Sequence, residues 1–211
     1  WVNLDIPSAV AEVKQRTGTQ FLGVIAHSVG GQLLGQSPVR QCIDGALFIS
    51  AQRGIPKLFK GMARLQIHYA YTLFPILIRI FGELPISKFT LPQECPSSVL
   101  LQWIRWGQTG VLTDANGMNV EPRFADYESL LMTITISDDY YASAASVEAL
   151  AHLYVGATVR HEIISPHDYG LESIGHFGFF HRRAPQMLWF QVEEWMRQLS
   201  LEVDLTKSQS S

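Results

Sequence analysis

The chain has 211 residues, 47% of them hydrophobic and 17% charged, with a formal net charge of −3. That suffices for one substantial core, at roughly 150 residues per domain, and is too apolar for a disordered chain. The charge balance excludes nucleic acid or an anionic membrane as the obvious partner, and no apolar run reaches the ~18–20 residues of a membrane span.

Residues 5–16 form the first predicted helix, with Asp5 as its cap and Pro7 in the first turn. The chain opens on Trp1 instead of Met and enters this helix almost at once, so it reads as lacking an N-terminal part. Residues 21–25 (FLGVI) are an apolar run between breakers, the mark of a buried parallel strand. The segment 26–31 (AHSVGG) leads into a helix, and Ile43 with residues 46–50 makes a second buried strand. From 52 to 128 the rhythm changes to aromatics and helix formers punctuated by Pro56, Gly61, Pro75, Gly82, Pro85, Pro92 and Pro96. Helices are expected near 57–81 and 97–107, then a loop at 113–117. Alternation resumes with a strand at 130–136, a helix at 144–153 and a strand at 158–164. An amphipathic helix at 184–199 closes the fold, with Leu188, Val192, Trp195 and Met196 inward.

Strands alternating with helices predict an α/β fold, a mostly parallel sheet flanked by helices on both faces. Residues 1–51 and 129–200 are the expected core segments, 52–128 a helical lid insertion, and 201–211 a flexible polar tail. The two cysteines, Cys42 and Cys95, have neither metal-ligand nor CxxC spacing, and read as free thiols of a reducing, cytoplasmic compartment.

The segment around Ser28 carries the most chemical information. A serine in a sharp strand-to-helix turn projects clear of the sheet, provided the residues two before and two after it are small. Ala26 and Gly30 hold those positions, Ala standing where Gly is usual. The Val29 N–H then lies at a helix N-terminus, where a developing oxyanion is favoured. The bland alternative is an ordinary N-cap serine, but the strand before it and the helix after it favour a nucleophile.

Such a serine needs a base, and in this topology an acid and a histidine follow it in that order, on loops past the ends of later strands. Asp138 and Asp139 follow the strand at 130–136. Asp139 is the expected acid, and Asp138 is expected to cap the next helix. His176, in IGHFGFF (174–180), is the expected base, with Gly175 allowing a tight turn and Phe177, Phe179 and Phe180 wedging the imidazole. His167, beside Asp168, is its rival. His27 is expected to pack or hydrogen-bond near the site, and with Trp103, Trp106 and Phe177 is a candidate for the substrate pocket.

Taken together, AHSVGGQLLG (26–35), WIRW (103–106), ISDD (136–139) and IGHFGFF (174–180) resemble a family of predicted α/β-hydrolases related to serine esterases. The resemblance spans about residues 5–199. It implies the α/β-hydrolase fold and a triad of Ser28, Asp139 and His176, with no cofactor and no metal. The implied activity is hydrolysis of a small-molecule ester or thioester through an acyl-enzyme, and the lid aromatics point to an apolar acyl or aromatic part. Complete members have further strands before the nucleophile strand, and a loop among them supplies a second oxyanion donor. This chain is therefore expected to be the C-terminal part of the fold, with one donor of two and an exposed strand edge. A non-catalytic binding domain, a peptidase using Glu83 and Asp114, and a scaffold pairing through the 21–25 strand are the alternatives. The sequence does not set an oligomeric state.

Overall fold

The computed structural model describes residues 1–83, 95–182, 184 and 186–209. Its sheet has four strands, β1 (Gly23–His27), β2 (Gly45–Ile49), β3 (Leu130–Ile136) and β4 (Thr158–Ile164), in the order β1-β2-β3-β4. Every pairing is parallel, with Leu47 beside both Ile25 and Met132. All strand ends therefore point one way, and the loops that follow them gather at one edge. The helices are α1 (Asp5–Thr17), α2 (Val29–Gln36), α3 (Gly61–Phe81), α4 (Ser97–Thr109), α5 (Ala144–Ala151), α6 (Gly175–Gly178) and α7 (Gln186–Gln209).

Two compact units result, one of Trp1–Gln52 with Val120–Ser211, the other Arg53–Asn119, inserted in the chain between β2 and β3. In the first unit, alternate strand residues go to opposite faces. Leu47, Ile49, Met132, Ile134 and Ile136 join Leu188 and Val192 of α7 in one buried cluster, with Trp195 and Met196 packed against it. On the other face Phe48 meets Tyr154, which also packs edge-on against Phe124 and Tyr127. Two glycines let α7 lie close to the sheet. A Cβ on Gly23 would come within 2.1 Å of Met196 Cε, and one on Gly45 within 2.0 Å of Leu199 Cδ2. In the second unit α3 and α4 share a small core of Ile78, Leu100 and Ile104.

Several expectations are corrected. Asp5 is the first residue of α1 and does not cap it; Leu4 stands at the cap, without a side-chain hydrogen bond. α3 starts at Gly61, later than the expected 57, and runs over 21 residues through Pro75. α7 passes the expected end at 199 and continues to Gln209, because no Gly or Pro intervenes to stop it. Pro85 and Pro92 lie outside the described residues. No described helix is long and apolar enough to cross a membrane.

A close contact made by a glycine within α2 gives a test of packing. A Cβ on Gly35 of α2 would stand 2.2 Å from two ring atoms of Phe124 and 2.6 Å from its Cγ, and Phe124 is fully buried. Gly35→Ala should lower the free energy of unfolding by about 1–3 kcal/mol through overpacking, despite the better helix propensity of alanine. Urea unfolding followed by circular dichroism measures the difference.

Candidate active site

β1 ends at His27 and α2 begins at Val29, so Ser28 alone makes the turn. Its backbone sits at φ 53°, ψ −119°, a region that residues with a Cβ rarely occupy and that persists only when the surroundings enforce it. The Ser28 N–H donates to the Ile49 carbonyl at 3.2 Å, so the β1–β2 ladder holds the start of the turn. Close passage of strand and helix explains the small residues. A Cβ on Gly30 would stand 3.3 Å from the Ala26 Cβ, and one on Gly31 2.8 Å from the Ala51 Cβ. Val29 opens α2, which places its N–H among those without an intrahelical acceptor.

The structure brings Ser28, His176 and Asp139 together. His176 Nε2 lies 2.9 Å from Ser28 Oγ, and its Nδ1 lies 2.7 Å from Asp139 Oδ2. A carboxylate only accepts, so Nδ1 carries the proton and Nε2 is left as acceptor for the serine hydroxyl. His176 and Asp139 are both buried. The other Asp139 oxygen accepts the N–H groups of Tyr141 (2.7 Å) and Ala142 (3.0 Å). Burial acts to raise the Asp139 pKa, but the hydrogen bond and charge of His176, the Ser50 hydroxyl and the Tyr141 N–H together hold it below its ordinary value. The carboxylate therefore stays ionised.

Ser50 belongs to no motif of the sequence. Directly after β2, it is the second non-glycine residue with positive φ, at 50°. It is fully buried, and its N–H donates to Ile134 at 2.9 Å. Its Oγ makes no hydrogen bond of regular geometry, yet it acts on the Asp139 carboxylate. The one available signal was a serine closing an otherwise apolar strand. Tyr141, whose ring lies 5.5 Å from that of His176, carries no signal in the sequence.

The remaining candidates separate. His27 Nε2–H donates to the His176 backbone carbonyl at 2.8 Å, and its ring packs against those of His176, Phe177 and Phe180. Burial, then the charge of His176, lowers its pKa. Phe177 lies edge-on to His176 at 4.9 Å, but Phe179 is fully buried in the sheet core and does not wedge the imidazole. Trp103 and Trp106 both take part in packing within the second unit. Trp103 lies against the α3–α4 core, and Trp106 is buried with its indole N–H on the Thr113 carbonyl at 2.9 Å. Asp114 Oδ1 is taken up by the N–H groups of Asn116 and Met118 within its own turn. His167 and Asp168 are exposed on the turn Pro166–Tyr169. Asp138 does not cap α5, because Ser143 does, accepting the Ser146 N–H at 3.2 Å.

No family model matches the sequence, and no curated protein matches it. Among solved structures, the chain is similar to Est1E from Butyrivibrio proteoclasticus, with a TM-score of 0.51 and 15% identity over 95% of this chain and 68% of that one. It is also similar to Est816, an N-acyl homoserine lactone degrading enzyme, with a TM-score of 0.45 and 18% identity over 90% of this chain and 72% of that one. For an esterase of Pyrococcus furiosus the values are 0.46 and 15%, over 93% of this chain and 59% of that one. The parallel sheet and the first of these likenesses define the class: the chain has the α/β-hydrolase fold.

The lowered Asp139 pKa fixes a sign. The stability this carboxylate contributes is fully present above its ordinary value of 3.8 and is lost as pH falls from there through the lowered folded value. The difference in unfolding free energy between the unmodified chain and Asp139→Asn should be constant near neutrality and shrink only as pH falls below 3.8, as read by urea titrations at stepped pH.

Proposed function

We propose that the protein is a serine hydrolase that cleaves a carboxylic ester or thioester through an acyl-enzyme. The observation that carries this is the unbroken hydrogen-bond chain Ser28–His176–Asp139, set on a strained strand-to-helix turn. A serine hydroxyl is a poor nucleophile at neutral pH, and an adjacent oriented base is what activates it.

The geometry supports the following step. Ser28 Oγ bonds to the substrate carbonyl carbon while its proton passes to His176 Nε2, and the carbonyl electron pair moves onto oxygen. The Val29 N–H, at the positive end of α2, donates to that oxyanion. Collapse of the adduct breaks the bond to the leaving alcohol or thiol, which takes the proton from Nε2. Water then repeats the sequence on the acyl-enzyme and releases the acid. Asp139 keeps Nδ1 protonated and stabilises the transient imidazolium.

Apolar side chains at this site support an ester with an apolar acyl or aromatic part. Phe177, Phe180 and Tyr141 are partly exposed while packing on the His27–His176 pair, so a substrate can cover them. The insertion of a compact helical unit between β2 and β3 supports reading that unit as a lid.

Labelling with a fluorophosphonate probe, mapped by peptide mass spectrometry, tests the reading. Ser28 should be modified, and the label should be absent in Ser28→Ala. Asp139→Asn should lower kcat on p-nitrophenyl esters by about 10⁴-fold, the scale of losing the correct imidazole tautomer. Longer acyl chains should be hydrolysed with lower KM. A folded chain that stays unlabelled at Ser28 overturns the proposal.

A further inference from the structure

Asp138 stands next to the proposed triad acid, yet its carboxylate points away from His176. It reaches across 35 to 37 residues to the loop that carries the histidine. Oδ2 accepts the Ser173 hydroxyl at 2.8 Å and the Ile174 N–H at 3.0 Å, and Oδ1 accepts the Gly175 N–H at 3.0 Å. These are the three residues immediately before His176.

We propose that Asp138 is a positioning residue for the reaction, a carboxylate clamp that fixes the backbone of Ser173–Gly175 and so sets the distance from His176 to Ser28. The inference rests on the Ser28–His176–Asp139 reading of the site. Gly175 has φ 58°, and α6 behind it is only four residues long. Such a loop has little regular structure of its own to hold it. From the other side, His27 takes the His176 carbonyl. The imidazole is thus held at three places: its Nδ1 by Asp139, the chain before it by Asp138 and the chain after it by His27.

The division between the neighbouring acids follows from the bend at the end of β3. The Asp139 N–H turns back to the Ile136 carbonyl at 3.0 Å, so the two side chains leave in different directions. Asp139 goes to the buried side, where one carboxylate meets one imidazole. Asp138 is exposed and meets three donors in a row, an arrangement that suits a charged acceptor with two oxygens. Burial acts to raise its pKa, but the Gly175, Ser173 and Ile174 hydrogen bonds outweigh this and lower it. Asp138 is therefore charged whenever the site is able to react.

A graded series of variants tests the clamp. Ser173→Ala removes one of the three bonds, Asp138→Asn leaves a single acceptor oxygen, and Asp138→Ala removes all of them. The rate of fluorophosphonate labelling at Ser28 and kcat on a short p-nitrophenyl ester should fall in that order, reaching about 10²-fold for Asp138→Ala. KM should change little, because the substrate does not touch Asp138. Hydrogen exchange at the amides of residues 174–176 should accelerate in the same order. Normal labelling in Asp138→Ala, with loop exchange unchanged, overturns the clamp. A loss of rate that only tracks the unfolded fraction, with loop exchange in the folded chain unchanged, overturns it too and makes Asp138 structural alone. Failure of the triad reading is distinct: the unmodified chain itself would show no label at Ser28, and loop exchange would then decide the clamp by itself.

Discussion

The turn at Ser28 is the constraint on which the rest of the site depends. A residue with a Cβ is held at φ 53°, at a cost of order 1–3 kcal/mol, and the surrounding packing must enforce it. That packing comes from Ala26 and Gly30 in near contact, from Gly31 against Ala51 and Phe48, and from the Ile49 carbonyl that anchors the turn's own N–H. Enlarging any of these small residues would push strand and helix apart. The outcome is a hydroxyl standing clear of the sheet with the N-terminus of α2 beneath it.

Parallel strands do the second part of the work. Because β1, β2 and β3 all run one way, Ser28, Ser50 and the Asp138–Asp139 pair emerge at one edge, although more than 100 residues of chain separate the first from the last. The Ser28, Ser50 and Ser137 N–H groups donate to the Ile49, Ile134 and Ile164 carbonyls of the neighbouring strands. The ladder therefore continues one residue beyond the sheet and carries its regularity into the loops. Burial then sharpens the electrostatics. Asp139 and His176 meet away from water, where a charged hydrogen bond is strong and an unpaired charge would be costly.

Much of this was legible in the sequence, for definite reasons. β3 and β4 occupy residues 130–136 and 158–164, as the strand–helix alternation predicts, and the order serine, acid, histidine along the chain named three side chains that lie within hydrogen-bonding distance. What was not legible depended on distant partners. Asp139 was the expected acid, but the partners of Asp138, on the loop at 173–175, lie 35 to 37 residues away and leave no local signal. Trp103 and Trp106 carry the composition of a pocket, and the packing they take part in, on the α3–α4 core and the Thr113 carbonyl, is not marked in the sequence. In the run of three phenylalanines, one faces the sheet core because a short helix turns successive side chains to different sides, which a bare aromatic count does not reveal. Proline and glycine marked the breaks well, except at Pro75, through which α3 runs.

The shallow trough made by Gly23 and Gly45 has a consequence for how the chain is made. The residues that fill it are Met196 and Leu199 of α7, while the glycines belong to β1 and β2. One face of the sheet thus has no cover until residues some 150 positions later have left the ribosome. Contacts of such sequence separation form slowly, and a parallel sheet with one bare apolar face is prone to association in the interval. The hydroxyl, imidazole and carboxylate of the site share that schedule, because the loop bearing His176 directly precedes the helix that seals the sheet. His176 and the cover of this sheet face are therefore brought in by the same stretch of chain.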